Sequence, residues 1–157
     1  MKIRRASIAD AEELTQVAHE SKSHWGYPPR WIELWRDDLT ITPEVIAGNE
    51  LYLAEEDGTV LGFFGLIAGE GGGPVWTLEH FWVLPAAMGK GVGRTLFERA
   101  RELAAGAGAA VLEIDADPNA APFYERMGAR RVGEVRSEIE GQPRVRPLLH
   151  LDLHPAA

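Results

Sequence analysis

The stretch Val83-Leu84-Pro85-Ala86-Ala87-Met88-Gly89-Lys90-Gly91-Val92-Gly93-Arg94 decides how this chain is read. An apolar run ends at a proline, three glycines follow at alternate positions, and a helical pattern opens behind them. Glycines let successive backbone N–H groups turn towards one point, and a helix N-terminus adds roughly half a positive charge there. The combination predicts an anion cradle suited to a phosphate or pyrophosphate, with Lys90 and Arg94 adding formal charge beside it. A plain strand-to-helix turn without a ligand is the alternative. Two common phosphate motifs do not fit: a Walker A loop needs glycine where Leu84 stands, and a Rossmann fingerprint needs glycine where Arg94 stands.

Working outward, Val75–Leu84 reads as a long central strand buried on both faces, ended by Pro85. Before it, Leu51–Glu55 and Val60–Ala68 form a hairpin through Asp57-Gly58, and Gly69–Pro74 is a glycine-rich turn. After it, Val92–Ala105 is a helix with Val92, Leu96, Ala100 and Leu103 inward, and Val111–Asp115 is a strand. Ala120–Met127 is a helix closed by Gly128; Arg131–Ile139 and Arg146–Leu153 make a last strand pair around Gly141-Gln142-Pro143. The N-terminal third opens with a strand, Lys2–Ala6. Ser7 and Asp10 then cap a helix running to Ser23. The Trp25–Pro29 segment breaks it. A second helix follows over Arg30–Leu39, and a short one to Ala47 is opened by Thr42-Pro43-Glu44. The order predicts an α/β fold of helices packed on a mixed sheet. No repeat or linker interrupts it, so a single domain over 1–157 is expected.

Composition narrows the chemistry. The 157 residues carry 24 acidic and 16 basic side chains, a formal net charge of −8, and no cysteine. Disulfides, thiolate nucleophiles and cysteine-ligated metals are excluded. No histidine pair has the His-Glu-x-x-His spacing, so no metal is expected. The acidic balance argues against nucleic acid, and no apolar run approaches the ~20 residues that span a membrane. A cytoplasmic protein is the expectation.

In the order of its elements, and in two motifs, the chain resembles the GNAT superfamily of acetyl-CoA-dependent N-acetyltransferases. The first motif is Met88-Gly89-Lys90-Gly91-Val92-Gly93 against Gln/Arg-x-x-Gly-x-Gly/Ala, with Met88 replacing the usual polar residue. The second is Asp117-Pro118-Asn119-Ala120-Ala121-Pro122-Phe123-Tyr124-Glu125-Arg126-Met127-Gly128-Ala129 against Asn-x-x-Ala-x-x-Phe-Tyr-x-x-x-Gly-Phe, with Pro122 and Ala129 as departures. The resemblance implies a largely antiparallel central sheet flanked by helices, with a splayed central strand pair receiving CoA. It implies that Met88, Gly89, Lys90, Gly91, Val92, Gly93 and Arg94 hold the pyrophosphate, Met88 through its backbone amide. The pantetheine arm would pair with the backbones of Phe81 and Val83 like an added strand. Asn119 would contact that arm, Tyr124 would point at the thioester sulfur as proton donor, and the Phe81 N–H would face the oxyanion. A homodimer through the last strands also follows from family habit.

Other roles are argued from the residues. A carboxylate inside the apolar run is costly unless it meets water, a partner or a substrate, so Glu79 is a candidate base or acceptor ligand, or else an arginine partner. Alternation puts Thr77, Glu79, Phe81 and Val83 on one face and His80 on the other, where a packed histidine is expected. His24, Trp25, Tyr27, Trp31 and Trp35 cluster where the family builds a wall of its acceptor site. Trp25 and Tyr27 are expected to line it, Trp31 and Trp35 to pack helix on sheet. The expected reaction is acetyl transfer from acetyl-CoA to a small-molecule or peptide primary amine by direct attack, since no cysteine can carry the acyl group. A non-catalytic acyl-CoA sensor on the same fold, or a hydroxyl acceptor, is the alternative.

Overall fold

The computed structural model describes residues 1–153. Its seven strands lie in the order β1-β2-β3-β4-β5-β7-β6. They are β1 (Lys2–Arg5), β2 (Glu50–Glu56), β3 (Thr59–Ile67), β4 (Val75–Val83), β5 (Val111–Asp115), β6 (Arg130–Ile139) and β7 (Gln142–Asp152). The helices are α1 (Ala11–Ser23), α2 (Pro29–Leu34), α3 (Arg36–Leu39), α4 (Pro43–Gly48), α5 (Val92–Gly106) and α6 (Ala121–Arg126). The sheet is mostly antiparallel, with β4 and β5 parallel. The α/β expectation is met. The described residues form two compact units, Met1–Leu66 with His80–Arg99, and Ile67–Glu79 with residues 100–153.

In the first unit, local chemistry sets the elements. Asp57 (φ 52°) and Gly58 (φ 78°) take the left-handed conformations that a two-residue hairpin needs between β2 and β3. Thr42 caps α4, its hydroxyl accepting from the Val45 N–H at 3.1 Å, with Pro43 first in the helix. Ser7 donates its N–H and hydroxyl to the Asp10 carboxylate (2.7 and 3.2 Å), closing a 3₁₀ turn before α1. The buried stripe of α1 is Leu14, Val17, Ala18, Ser21 and Lys22. Leu14, Val17 and Ala18 join Leu39, Ile41, Ile46, Leu51, Leu53, Val60 and Phe63 in one core. The helix expected over Arg30–Leu39 is instead two, which meet at Trp35, where ψ is 4° and the backbone leaves the helical region although its N–H and carbonyl still bond to Trp31 and Leu39.

In the second unit, β5 pairs with β7 over its whole length, Val111↔Asp152 to Asp115↔Leu148. Pairing of β4 with β5 covers Val75↔Val111, Trp76↔Leu112 and Thr77↔Glu113, and β4 runs on to Val83. The last hairpin differs from expectation. Its turn is Glu140-Gly141 (φ 50° and 77°), so Gln142 and Pro143 belong to β7, which begins four residues earlier than Arg146. Two left-handed residues suffice to reverse the chain, and the proline then sits in the strand.

The other correction concerns β4. Its apolar composition predicts burial on both faces, yet Leu78 alone is buried, and Val75 and Glu79 are exposed. An apolar run reads as buried from sequence, but cover is supplied by the elements packed on it, and those leave most of this strand half-covered.

Candidate active site

The glycine stretch forms the predicted strand-to-helix turn. The Leu84 N–H donates to the Leu61 carbonyl at 2.8 Å, closing β4. Pro85–Ala87 is a 3₁₀ turn in which Ala87 and Met88 donate to Leu84 and Pro85 (2.9 and 3.2 Å). The Met88 amide, expected at an anion, is thus held by its own turn. Gly89 (φ 77°) and Gly91 (φ 83°) are left-handed, and a Cβ on either would meet nothing within 4 Å. Their outer side is open, and the glycine is required by conformation rather than by crowding. Gly93 instead lies in the first turn of α5.

The Gly91 carbonyl accepts from the Thr95 N–H at 3.1 Å and the Thr95 hydroxyl at 2.9 Å, making Gly91 the start of α5. The N–H groups of Val92, Gly93 and Arg94 precede the first intrahelical bond and are the donors an α-helix leaves unsatisfied. Lys90 and Arg94 are exposed beside them. Positive charge, first-turn amides and a glycine-shaped turn therefore converge on one exposed spot, as an anion requires.

On β4, the Phe81 ring meets Phe97 of α5 edge-on at 6.0 Å, and Val83 is half-buried. His80 is packed against Phe63, ring centroids 6.0 Å apart, as expected of the opposite face. The aromatic cluster assembles around a residue that sequence reading missed. The Lys22 ammonium lies 4.5 Å from the Trp35 ring centroid and 4.9 Å from that of Tyr27. Tyr27 meets Trp35 edge-on at 5.1 Å and Trp31 at 6.2 Å. Tyr27 thus already serves an internal cation, and Trp25 stands at the surface against His24. The eight-residue spacing from Leu14 to Lys22 puts both on one helical face and was the available signal.

In the second unit, Glu79 is exposed, so its charge meets solvent. Tyr124 lies on α6, 5 % exposed, its ring edge-to-face with Phe123 at 5.5 Å. Burial, and secondarily the charge of Asp117, pushes its hydroxyl above the ordinary tyrosine range. It holds its proton at any physiological pH. Beyond the end of α6, Gly128 (φ 105°) reverses the chain, and the Ala129 N–H returns to the Tyr124 carbonyl at 3.0 Å. Arg101 of α5 donates to the Met127 carbonyl at 2.5 Å, fixing that end.

Asn119 is in the turn before α6, where its N–H and side-chain amide donate to Asp117 Oδ1 (2.8 and 3.0 Å). Asp117 Oδ2 lies 3.3 Å from Arg144 of β7. Asp117 opens the second motif but was given no role from sequence, although aspartate two residues ahead of an amide it accepts from is a turn signature. No group of three or more metal-ligating side chains occurs among the described residues. None of their helices is long and apolar enough to cross a membrane.

Comparison with known proteins gives a consistent result. Residues 11–129 match the acetyltransferase (GNAT) family. Among solved structures, a GCN5-related N-acetyltransferase from Rhodopseudomonas palustris superposes with a TM-score of 0.80 at 24% identity, covering 97% of this chain and 95% of that one. The PaiA N-acetyltransferase of Thermoplasma acidophilum, in complex with coenzyme A, gives 0.76 at 21% identity, with 96% and 98% covered. The yncA protein of Salmonella typhimurium, with its cofactor acetyl-CoA, gives 0.70 at 21%, with 100% and 96% covered. At these identities the likeness is one of fold. No curated protein matches.

Proposed function

Because the chain belongs to the GNAT acetyltransferase family, we propose that it transfers the acetyl group of acetyl-CoA to a primary amine by direct attack in a ternary complex. The observation that carries this reading is the turn at Gly89–Gly91, left-handed at both glycines, open outward, and leading into the first-turn amides of α5. Lys90 and Arg94 supply the cations that a pyrophosphate needs within a chain of net charge −8. The half-covered β4 supports the same assignment. Its apolar residues leave room for a partner laid along the strand, as pantetheine would lie. CoA-bound and acetyl-CoA-bound proteins of this fold support the choice of cofactor.

Two proton problems fall to the chain's own residues. An alkylammonium of pKa ~10.4 is neutral about one time in a thousand near pH 7.4, a cost of ~4 kcal/mol. Glu79 takes that proton, directly or through water; its exposed position on β4 keeps it within reach of solvent. Tyr124 protonates the departing thiolate. It is fully protonated at neutral pH, which a donor requires. Each such role is typically worth 10²–10⁴-fold. With no cysteine in the chain, no thioester can form on the protein, in keeping with direct attack.

The test is release of free thiol from acetyl-CoA across a panel of polyamines, amino acids and peptide amines, paired with calorimetry of acetyl-CoA alone. Saturable binding with amine-dependent thiol release is expected. Absence of acetyl-CoA binding would overturn the reading.

A further inference from the structure

Beside Tyr124 stands an ion pair that the reaction as described does not use. Resting on the reading of Tyr124 as proton donor, we propose that Asp117, clamped by Arg144, is the positioning residue that aims Tyr124. The geometry is a continuous set of hydrogen bonds. Arg144 Nη2 lies 3.3 Å from Asp117 Oδ2, while Oδ1 accepts both bonds from Asn119. The Asp117 carbonyl accepts from the N–H groups of Ala120 (2.9 Å) and Ala121 (3.0 Å), which open α6. The Ala120 carbonyl in turn accepts from the Tyr124 backbone N–H at 3.3 Å.

A helix of six residues has little stability of its own, so its entry turn decides its direction. Its exit is already fixed by Arg101 at Met127. The pair is suited to that work, since the two side chains are only 12% and 10% exposed and water screens them little. Arg144 comes from the stretch of β7 registered with β6 at Ser137, outside the Leu148–Asp152 stretch registered with β5. The hairpin arm is thereby tied to the turn that carries Tyr124. The Asp117 charge also reaches the Tyr124 hydroxyl, which places the two groups in one electrostatic neighbourhood.

The experiment is a double-mutant cycle on kcat at saturating acetyl-CoA, using Asp117→Asn, Tyr124→Phe and both together. Asparagine keeps an oxygen for Asn119 but turns an amide towards Arg144 and removes the charge. Expected are a roughly 10-fold lower kcat in Asp117→Asn with acetyl-CoA KM within about 2-fold, and a further loss under about 2-fold when Phe already replaces Tyr124. Arg144→Met should reproduce the loss and Arg144→Lys largely avoid it; Arg144→Met carries the cycle if Asp117→Asn does not fold. Equal losses in both backgrounds, or wild-type kcat in Asp117→Asn, overturn the proposal while leaving Tyr124 as donor. Wild-type kcat in Tyr124→Phe removes the donor assignment, and this inference with it.

Discussion

The indole N–H of Trp82 donates to Nδ1 of His80 over 3.2 Å. Indole can only donate, so Nδ1 carries no proton and the imidazole is the neutral Nε2–H tautomer. Burial pushes the His80 pKa down to about 4, against the opposing charge of Asp38. The histidine next to Glu79 is therefore a fixed, uncharged element of β4 rather than a base.

This makes stability depend on pH with a definite sign. The folded pKa of about 4 lies below the ordinary value of 6.5, so between those limits the unfolded chain binds the proton that the folded chain refuses. Stability should fall as pH drops from about 6.5 to about 4, by roughly 3 kcal/mol from this group, and lose nothing more from it below that. His80→Gln, which keeps an acceptor for Trp82, should flatten thermal stability across that window. A His80 resonance titrating near 6.5 would contradict the assignment.

At lower pH a second group takes over. The Arg4 guanidinium grips Asp10 at 2.9 and 3.0 Å, and mainly for that reason the Asp10 carboxyl is held at about 2, below the usual 3.8. Here the depressed carboxylate stabilises the fold above its unfolded pKa. That stability is lost as pH falls from about 4 through about 2. Asp10→Asn should be less stable than wild type at pH 7 and converge on it near pH 2, as followed by thermal unfolding.

Gly62 tests the spacing of β3 against β4. A Cβ there would lie 2.6 Å from the Trp82 carbonyl oxygen and 3.0 Å from Leu96 Cδ1. The backbone oxygen cannot swing aside, so Gly62→Ala must shift a strand. A loss of about 2–3 kcal/mol is expected, visible as a melting temperature lower by several degrees.

These cases also show which parts of the molecule could be read in advance. Asp57-Gly58 and Thr42-Pro43 were legible because a turn or a cap is decided by residues that touch within four positions. The glycine turn was legible for the same reason, and its likeness to a family widened that reading to the whole sheet. The division at Trp35 was not, because no proline or glycine marks it between Arg30 and Leu39. The exposure of β4 was not, because an apolar run says what a strand could bury, not what covers it. Asp117 and Arg144 meet across 27 positions, and neither signals the other.

Gly91→Val bears on the cofactor site most directly. Nothing lies within 4 Å of the position a Cβ would take, so the substitution creates no clash. Its effect must come through φ, which is +83° here and strongly disfavoured for a β-branched residue. The chain would relieve about 1–2 kcal/mol of strain by turning residue 91 to negative φ, rotating the amides that open α5 away from their common point. An acetyl-CoA Kd at least about 10-fold higher by calorimetry is expected, with thermal stability lowered by only a few degrees. Gly106→Ala at the far end of α5 is the control. Its φ is not left-handed and its surroundings are open, so affinity should be unchanged and stability slightly raised. Equal affinity in Gly91→Val and Gly106→Ala would mean that the glycine turn does not hold the cofactor.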